Sequence, residues 1–322
     1  MQRWQEVLKS NFRDLTKLAD FLELDEEQRR SLFIRQNFPL NLPLRLATKI
    51  AKRKLDDPIL RQFVPVTDES FSVEQFVLDP LGESRCIQKG KLLHKYRGRV
   101  LLVCTSACAM HCRYCFRQHY PYETEKKDFQ EELEYIFQDQ SVREVILSGG
   151  DPLSLPDFRL KELFTALSTM NHVKRIRFHS RFPIGIPERI DDSFCEIMRT
   201  IKQQVWFVVH VNHPRELDED VLKHLNKLQK AGAILLNQSV LLRGVNDSVD
   251  VLVELSEKLV DNGIVPYYLH QLDQVKGTAH FEVDKEHGKE LLREMEKYLS
   301  GYALPKYAQE IAGEESKKLI FY

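Results

Sequence analysis

The chain has 322 residues, 43% of them hydrophobic, with 47 basic and 48 acidic side chains and a formal net charge of −1. That length and apolar content suffice for one large α/β domain with an appendage, and the balanced charge excludes a chain-wide field recruiting nucleic acid or anionic lipid. No apolar run reaches the length of a membrane span or of a secretion signal, so the expected compartment is the cytoplasm, without membrane attachment.

From Trp4 to about residue 54 the signals are helical. Leu15, Leu18, Ala19 and Leu22 recur at three- and four-residue steps, and "LPLRLATKIAKR" repeats the habit. "LDDPILRQFVP" closes this helical cap with proline and acidic turn residues, and a mixed connector continues to about residue 95. Short apolar, β-branched runs then appear at 100–103, 142–147, 175–178, 205–209, 233–236 and 265–269. Most gaps between them hold a helical pattern such as "DFRLKELFTAL" or "VDVLVELSEKLVDNG", the latter with an Asn-Gly stop. Six strand–helix alternations predict parallel strands with right-handed crossovers: an α/β fold of the partial (β/α)6, TIM-like barrel type. The expected organisation is a helical cap and connector over 1–95, the barrel core over 96–281, and a carboxyl-terminal segment over 282–322, the two flanks serving as lids.

Each predicted strand is followed by an unusual loop. The cysteine cluster follows the first, "SGGDPL" the second, "HSRFP" the third, "HVNHP" the fourth, "NQSVLLRGVND" the fifth and "LDQVKGTAHF" the sixth. In a barrel these loops share the carboxyl-end face, so they imply one composite site.

Four of the 6 cysteines lie between Cys104 and Cys115. In a reducing compartment such clustering argues for metal binding or catalysis, while the solitary Cys86 and Cys195 are expected to be inert core thiols. Cys108, Cys112 and Cys115 form C-x3-C-x2-C. A structural zinc needs four ligands, and adding Cys104 supplies a tetrad without the usual two-residue knuckles. Three thiolates on one loop instead hold three corners of a [4Fe–4S] cube, whose fourth iron is left open to a small molecule. Tyr114 immediately before Cys115, and Gly149 and Gly150 after the next strand, accompany that spacing.

A C-x3-C-x-aromatic-C motif after the first strand of a partial barrel resembles the radical S-adenosylmethionine superfamily. Within it, "YRGRVLLV", "CAMHCRYCFRQHYPY", "ILSGGDPL", "NQSVLLRGVND", "DQVKGTAHF" and "GYALPKYAQEI" together resemble the lysine 2,3-aminomutase family over most of residues 56–317. "LLHKY", "CRYCFR" and "PYYLH" are similar to its short branch, which makes (R)-β-lysine for elongation factor P.

The resemblance implies three cofactors. A [4Fe–4S] cluster would sit on Cys108, Cys112 and Cys115. S-adenosylmethionine would be held by Tyr114, Ser148, Gly149, Gly150, Asp151, His210 and Gln238, the glycines letting backbone approach a ligand closely. Pyridoxal 5′-phosphate would be carried by Lys317, with Lys318 beside it, and its phosphate met by Lys95, Tyr96 and Arg99, since guanidinium and phenol suit a dianion. By composition alone "EESKK" is a solvated tail, and "KGKLLHKYRGR" reads equally as a basic surface strand.

For the substrate, L-lysine, the resemblance implies Arg117 at the carboxylate, where a planar fork fits better than an ammonium, with Asp273 and Glu310 at the distal ammonium. Glu310 stands where longer aminomutases carry Asp. The implied partners are a flavodoxin- or ferredoxin-type reductant and a functional link to the ligase that modifies elongation factor P, with a homodimer expected from the short carboxyl terminus. Two rival readings remain: an aminomutase for glutamate or arginine, and a non-catalytic zinc or iron–sulfur module using the basic stretches "KRIRFHSR" and "KYRGR".

Overall fold

In the computed structural model, which describes residues 2–122 and 128–322, neighbouring strands in sequence are neighbours in one ten-stranded sheet. Strands β1 (Ile87–Lys89), β2 (Leu92–Tyr96) and β3 (Arg99–Val103) form an antiparallel edge. From β3 onward, β4 (Glu144–Ser148), β5 (Arg175–Ser180), β6 (Gln204–Val209), β7 (Ile234–Val240), β8 (Val265–His270) and β9 (Lys306–Gln309) run parallel. β10 (Lys318–Leu319) turns back antiparallel on β9.

The six strands expected from hydrophobic runs are β3 to β8, the core of a partial barrel. The sheet also continues past both ends. β2 reads "LLHKY", too polar at its end to stand out, yet it pairs with β3 across a turn in which Gly98 adopts φ +73°. The expected boundary between residues 95 and 96 therefore falls inside a strand. β9, four residues long, is too short for a periodic signal, and its pairing with β8 makes the carboxyl-terminal segment part of the barrel wall.

Alternation along the strands sorts chemistry by face. In β5, Ile176 and Phe178 are buried outward under the helices, whereas Arg175, Arg177 and His179 line the interior. The helix Asp157–Ser168 covers that outer face with Leu160, Leu163, Phe164 and Leu167, at the spacing of one helical stripe. Phe164 meets Phe178 edge-on at 5.6 Å, and Phe178 stacks on Phe207 of β6 at 5.4 Å. Each such fully buried side chain contributes roughly 1.5–3 kcal/mol over its exposed state.

The amino-terminal cap is built from short helices. One, Leu15–Phe21, starts where the Asp14 carboxylate accepts from the amides of Thr16 and Lys17, and it buries Leu18 and Ala19. Trp4, Leu18, Leu46 and Phe63 of the cap share one buried cluster with Phe178, Phe207 and Leu225 of the barrel. Cap and barrel thus pack as one core. Among the described residues, no helix is long and apolar enough to cross a membrane.

Candidate active site

The barrel interior is not filled by packed side chains. It holds a cavity of about 800 Å³, within the ordinary range for cofactor and substrate pockets of roughly 300–1,000 Å³. Its lining includes the residues expected at the cofactors and substrate: Cys108, Cys112 and Cys115, Tyr114, Ser148, Gly149, Gly150, Asp151, His210, Gln238, Lys95, Tyr96, Arg99, Arg117, Asp273, Glu310 and Lys317.

The loop carrying Cys108, Cys112 and Cys115 is clamped by the amino-terminal cap. Asn11 Nδ2 donates to the Ala109 carbonyl at 2.7 Å, Asn41 Nδ2 to that of Cys108 at 3.1 Å, and the His111 amide to that of Asn41 at 3.0 Å. Arg113, fully buried, donates through Nε to Glu69 at 2.8 Å and through Nη1 to the Phe38 carbonyl at 2.8 Å. The cap therefore acts as a foundation for the cysteine loop. Cys104 faces elsewhere: it is buried outside the cavity lining, its thiol donates to the Leu102 carbonyl at 3.5 Å, and burial pushes that thiol up to about 12. Among the described residues no three His, Cys, Asp or Glu side chains close on a single metal ion. Three thiols on one cavity-lining loop, close enough to act on one another, with the fourth turned away, suit a cluster with one open corner.

Two sequence-based expectations change. Gly149, at φ +120°, and Gly150 do permit a close approach, but the approaching backbone belongs to the cysteine loop. A Cβ on Gly149 would lie 2.7 Å from the Thr105 carbonyl oxygen, and one on Gly150 would lie 2.7 Å from Ser106 backbone atoms. The Gly150 amide donates to the Thr105 carbonyl at 2.7 Å, docking the loop. Asp151, expected at a ligand, spends its carboxylate on the protein: it accepts from the Leu153 amide, the Ser180 hydroxyl and the amides of Arg181 and Phe182, all at 2.8–3.0 Å. Burial still holds its carboxyl up at about 6. Asp151 braces β4 against β5. Cys86 also departs from expectation: it is half-buried on the cavity wall, whereas Cys195 is buried in the core.

Beside the cysteines lies a group that spacing did not reveal. Arg181 donates to Cys112 Sγ at 2.9 Å, to Gln62 at 2.6 Å and to Glu216 at 2.6 Å, and it also bonds the Tyr114 hydroxyl. The partners come from three separate stretches of chain, so only the basic "HSR" hinted at it. Deeper in, His210 Nε2 lies 3.3 Å from His179 Nδ1. Burial, reinforced by Arg181, pulls His210 down to about 3, so both rings are neutral at physiological pH and face the space beside Gln238. Neutral imidazole, amide and the Ser148 hydroxyl suit a polar, adenosine-bearing ligand next to the thiols.

Another part of the lining carries the lysines. Lys317 Nζ lies 3.1 Å from Glu310 and 3.3 Å from His270 Nε2; Lys95 Nζ lies 2.7 Å from the same Glu310. Lys318 points outward to Glu314 at 2.7 Å, because successive strand residues face opposite ways. The structure thus separates two adjacent lysines that sequence left side by side. Burial tends to raise the Glu310 carboxyl, but the two ammonium groups hold it down at about 2. Asp273 goes the other way: burial and the neighbouring Glu310 charge push it up to about 7. The Tyr96 hydroxyl is buried near Glu310 without a hydrogen bond of ordinary geometry, and the Arg99 guanidinium covers its ring at 4.6 Å. An unsatisfied phenol, a guanidinium and an ammonium within reach of a reactive lysine fit a phosphate-bearing aldehyde.

Comparison with known proteins agrees with this donor set. Residues 102–256 match the Radical SAM superfamily. Over 322 residues the chain is 40% identical to the L-lysine 2,3-aminomutase of Haemophilus influenzae, covering 99% of this chain and 95% of the relative. It is 41% identical to the enzyme of that name from Escherichia coli, over 98% of this chain and 93% of the relative. For that of Buchnera aphidicola the identity is 38%, over 97% of each.

Proposed function

The chain belongs to the L-lysine 2,3-aminomutase family of the Radical SAM superfamily, and from that membership we propose that it converts L-α-lysine to (R)-β-lysine in the cytoplasm, for modification of elongation factor P. The observation that carries the reading is one cavity whose lining includes the three loop thiols, Lys317, Arg117 and Asp273. When bound, the cluster with S-adenosylmethionine supplies one-electron chemistry and pyridoxal phosphate supplies an electron sink for migration of an amino group.

The chain's own residues position and shield. Cys108, Cys112 and Cys115 hold the cluster, with Arg181 against Cys112. Tyr114, Ser148, Gly149, Gly150, His210 and Gln238 bound the S-adenosylmethionine space, Asp151 bracing it from behind. Lys95, Tyr96 and Arg99 receive the phosphate. Lys317 enters as an ammonium steadied by Glu310 and His270, and it must lose a proton before its nitrogen reacts with a carbonyl. Its neighbour His270, buried and driven well below the usual imidazole range, is neutral and lies 3.3 Å away as a hydrogen-bond partner. Arg117 takes the substrate carboxylate, and the carboxyl groups of Asp273 and Glu310 receive the distal ammonium. Those groups oppose a second carboxylate, which favours lysine over glutamate.

A reductant of the flavodoxin or ferredoxin class and the ligase acting on elongation factor P complete the proposed partners. The test is anaerobic turnover by reconstituted protein with lysine, arginine and glutamate separately, resolving product chirality. (R)-β-Lysine from lysine alone is the expected result; absence of β-lysine sinks the proposal.

A further inference from the structure

Arg117 is not simply a free fork aimed at the cavity. Glu83, in the short turn Glu83–Cys86 ahead of β1, accepts from Arg117 Nε at 2.7 Å and from Nη2 at 2.6 Å. Both side chains are buried, 9% and 5% exposed respectively. Arg117 Nη1 donates to Ser148 Oγ at 3.0 Å. A guanidinium offers five coplanar N–H groups. These three bonds leave one N–H on Nη1 and one on Nη2 for a further acceptor. The Nη1/Nη2 edge of a guanidinium has the spacing of a carboxylate.

Glu83 is itself held in place. Its amide donates to Asp79 Oδ1 at 3.0 Å, the amide and hydroxyl of Ser84 donate to Asp79 Oδ2 at 3.2 and 2.7 Å, and Gly82 takes the left-handed conformation, φ +62°, that the turn requires. On the other side, the rings of Phe116 and Tyr120 lie 4.8 and 5.9 Å from the Arg117 guanidinium carbon. The plane of the guanidinium is therefore constrained from the connector, from β4 and from its own loop.

We propose that Glu83 is a positioning residue for substrate selection: it docks the Nε/Nη2 edge of Arg117 so that the Nη1/Nη2 edge meets the α-carboxylate of a free amino acid. It also offsets the arginine's charge, so that the site selects a carboxylate by paired hydrogen bonds and not by general attraction of anions. This rests on the reading of Arg117 as the carboxylate receptor.

The test uses the reconstituted holoenzyme and two ligands, L-lysine and L-lysinamide, which lacks the carboxylate. Binding is followed by the change in pyridoxal absorbance, alongside steady-state turnover of lysine. E83Q is expected to weaken lysine binding by about tenfold to a hundredfold, the scale of a lost charge-assisted contact, with KM rising more than kcat falls, while lysinamide binding stays as in the parent. Equal loss for both ligands, or loss for neither, overturns the proposal. E83D retains the charge but withdraws it by a methylene, so it carries the same two-ligand comparison where E83Q yields no folded protein. R117Q separates the layers: if it leaves lysine binding intact, the receptor reading fails; if it weakens lysine binding while E83Q does not, only the role of Glu83 fails.

Discussion

The cysteine loop and the lysine segment face each other across one cavity, yet they are held in opposite styles. Residues 104–118 are pinned by carbonyls and amides of the cap and by the fully buried Arg113–Glu69 pair. Residues 311–319 are held by the two exposed residues of β10, by the exposed Lys318–Glu314 pair and by the Lys317 contacts to Glu310 and His270, with a Gly313 at φ +85° in open space. Holding a cluster at three corners needs sulfur positions that do not drift, so the loop is overdetermined. A lysine that must bond and release a carbonyl needs only its amine placed, and a short edge strand with one carboxylate does that.

Several measurements break or sharpen this contrast. The largest effect is expected on the clamped side: replacing Cys108, Cys112 or Cys115 with Ala should abolish turnover and deplete bound iron, whereas Cys104→Ala should keep iron, because its thiol faces away from the cavity. Iron content and electron paramagnetic resonance decide. Retained turnover in any of the three would undo the assignment. On the other wall, Lys317→Ala should eliminate borohydride-fixed pyridoxal, while Lys318→Ala, altering only an exposed pair with Glu314, should stay within about twofold of the parent.

Next in size is a pair of ion-pair deletions. Glu69→Ala strands the buried Arg113 and should cost about 3–5 kcal/mol in unfolding free energy. Glu314→Ala at the exposed edge should cost at most about 1 kcal/mol. Similar losses at the two sites would erase the distinction between clamped and tethered walls.

The smallest effect is a pH dependence. Asp273 titrates in the fold near about 7, raised from 3.8, so it is neutral below that pH and anionic above it. The groups acting on it are Glu310, Lys317, Glu83 and Lys95. Lysine affinity should therefore improve as pH rises through about 7, by up to about tenfold per unit, and Asp273→Asn should flatten the profile. Because the folded value lies above the unfolded one, this group's contribution to stability is fully present below about 3.8 and is lost as pH rises through about 7. An unchanged profile in the variant would remove Asp273 from the binding step.

Much of this was legible in residue order. The six central strands announced themselves by β-branched runs, and the cysteine spacing named its own chemistry. The residues following the central strands line the cavity, because barrel topology sends those loops to one face. What stayed hidden was set by pairing at a distance. Glu83 and Arg117 are separated by the whole β1–β3 edge, and neither residue's neighbours hint at the other. Arg181 lay inside a stretch that reads as merely basic. For Gly149, Gly150 and Asp151, residue order drew attention to the positions but did not show the protein contacts they make with the cysteine loop and with the end of β5.

By itself, the order of residues determined the alternating strand–helix architecture, the three-thiol loop and the identity of the charged groups brought to one cavity. Those features depend on local periodicity and spacing. Only the folded structure decided which of Lys317 and Lys318 faces inward, which edge of Arg117 is free, and which carboxylates are braces instead of ligands. The reason is physical: burial and hydrogen-bond satisfaction are properties of neighbours in space, and a polar side chain's chemistry is what remains after those neighbours have taken their share.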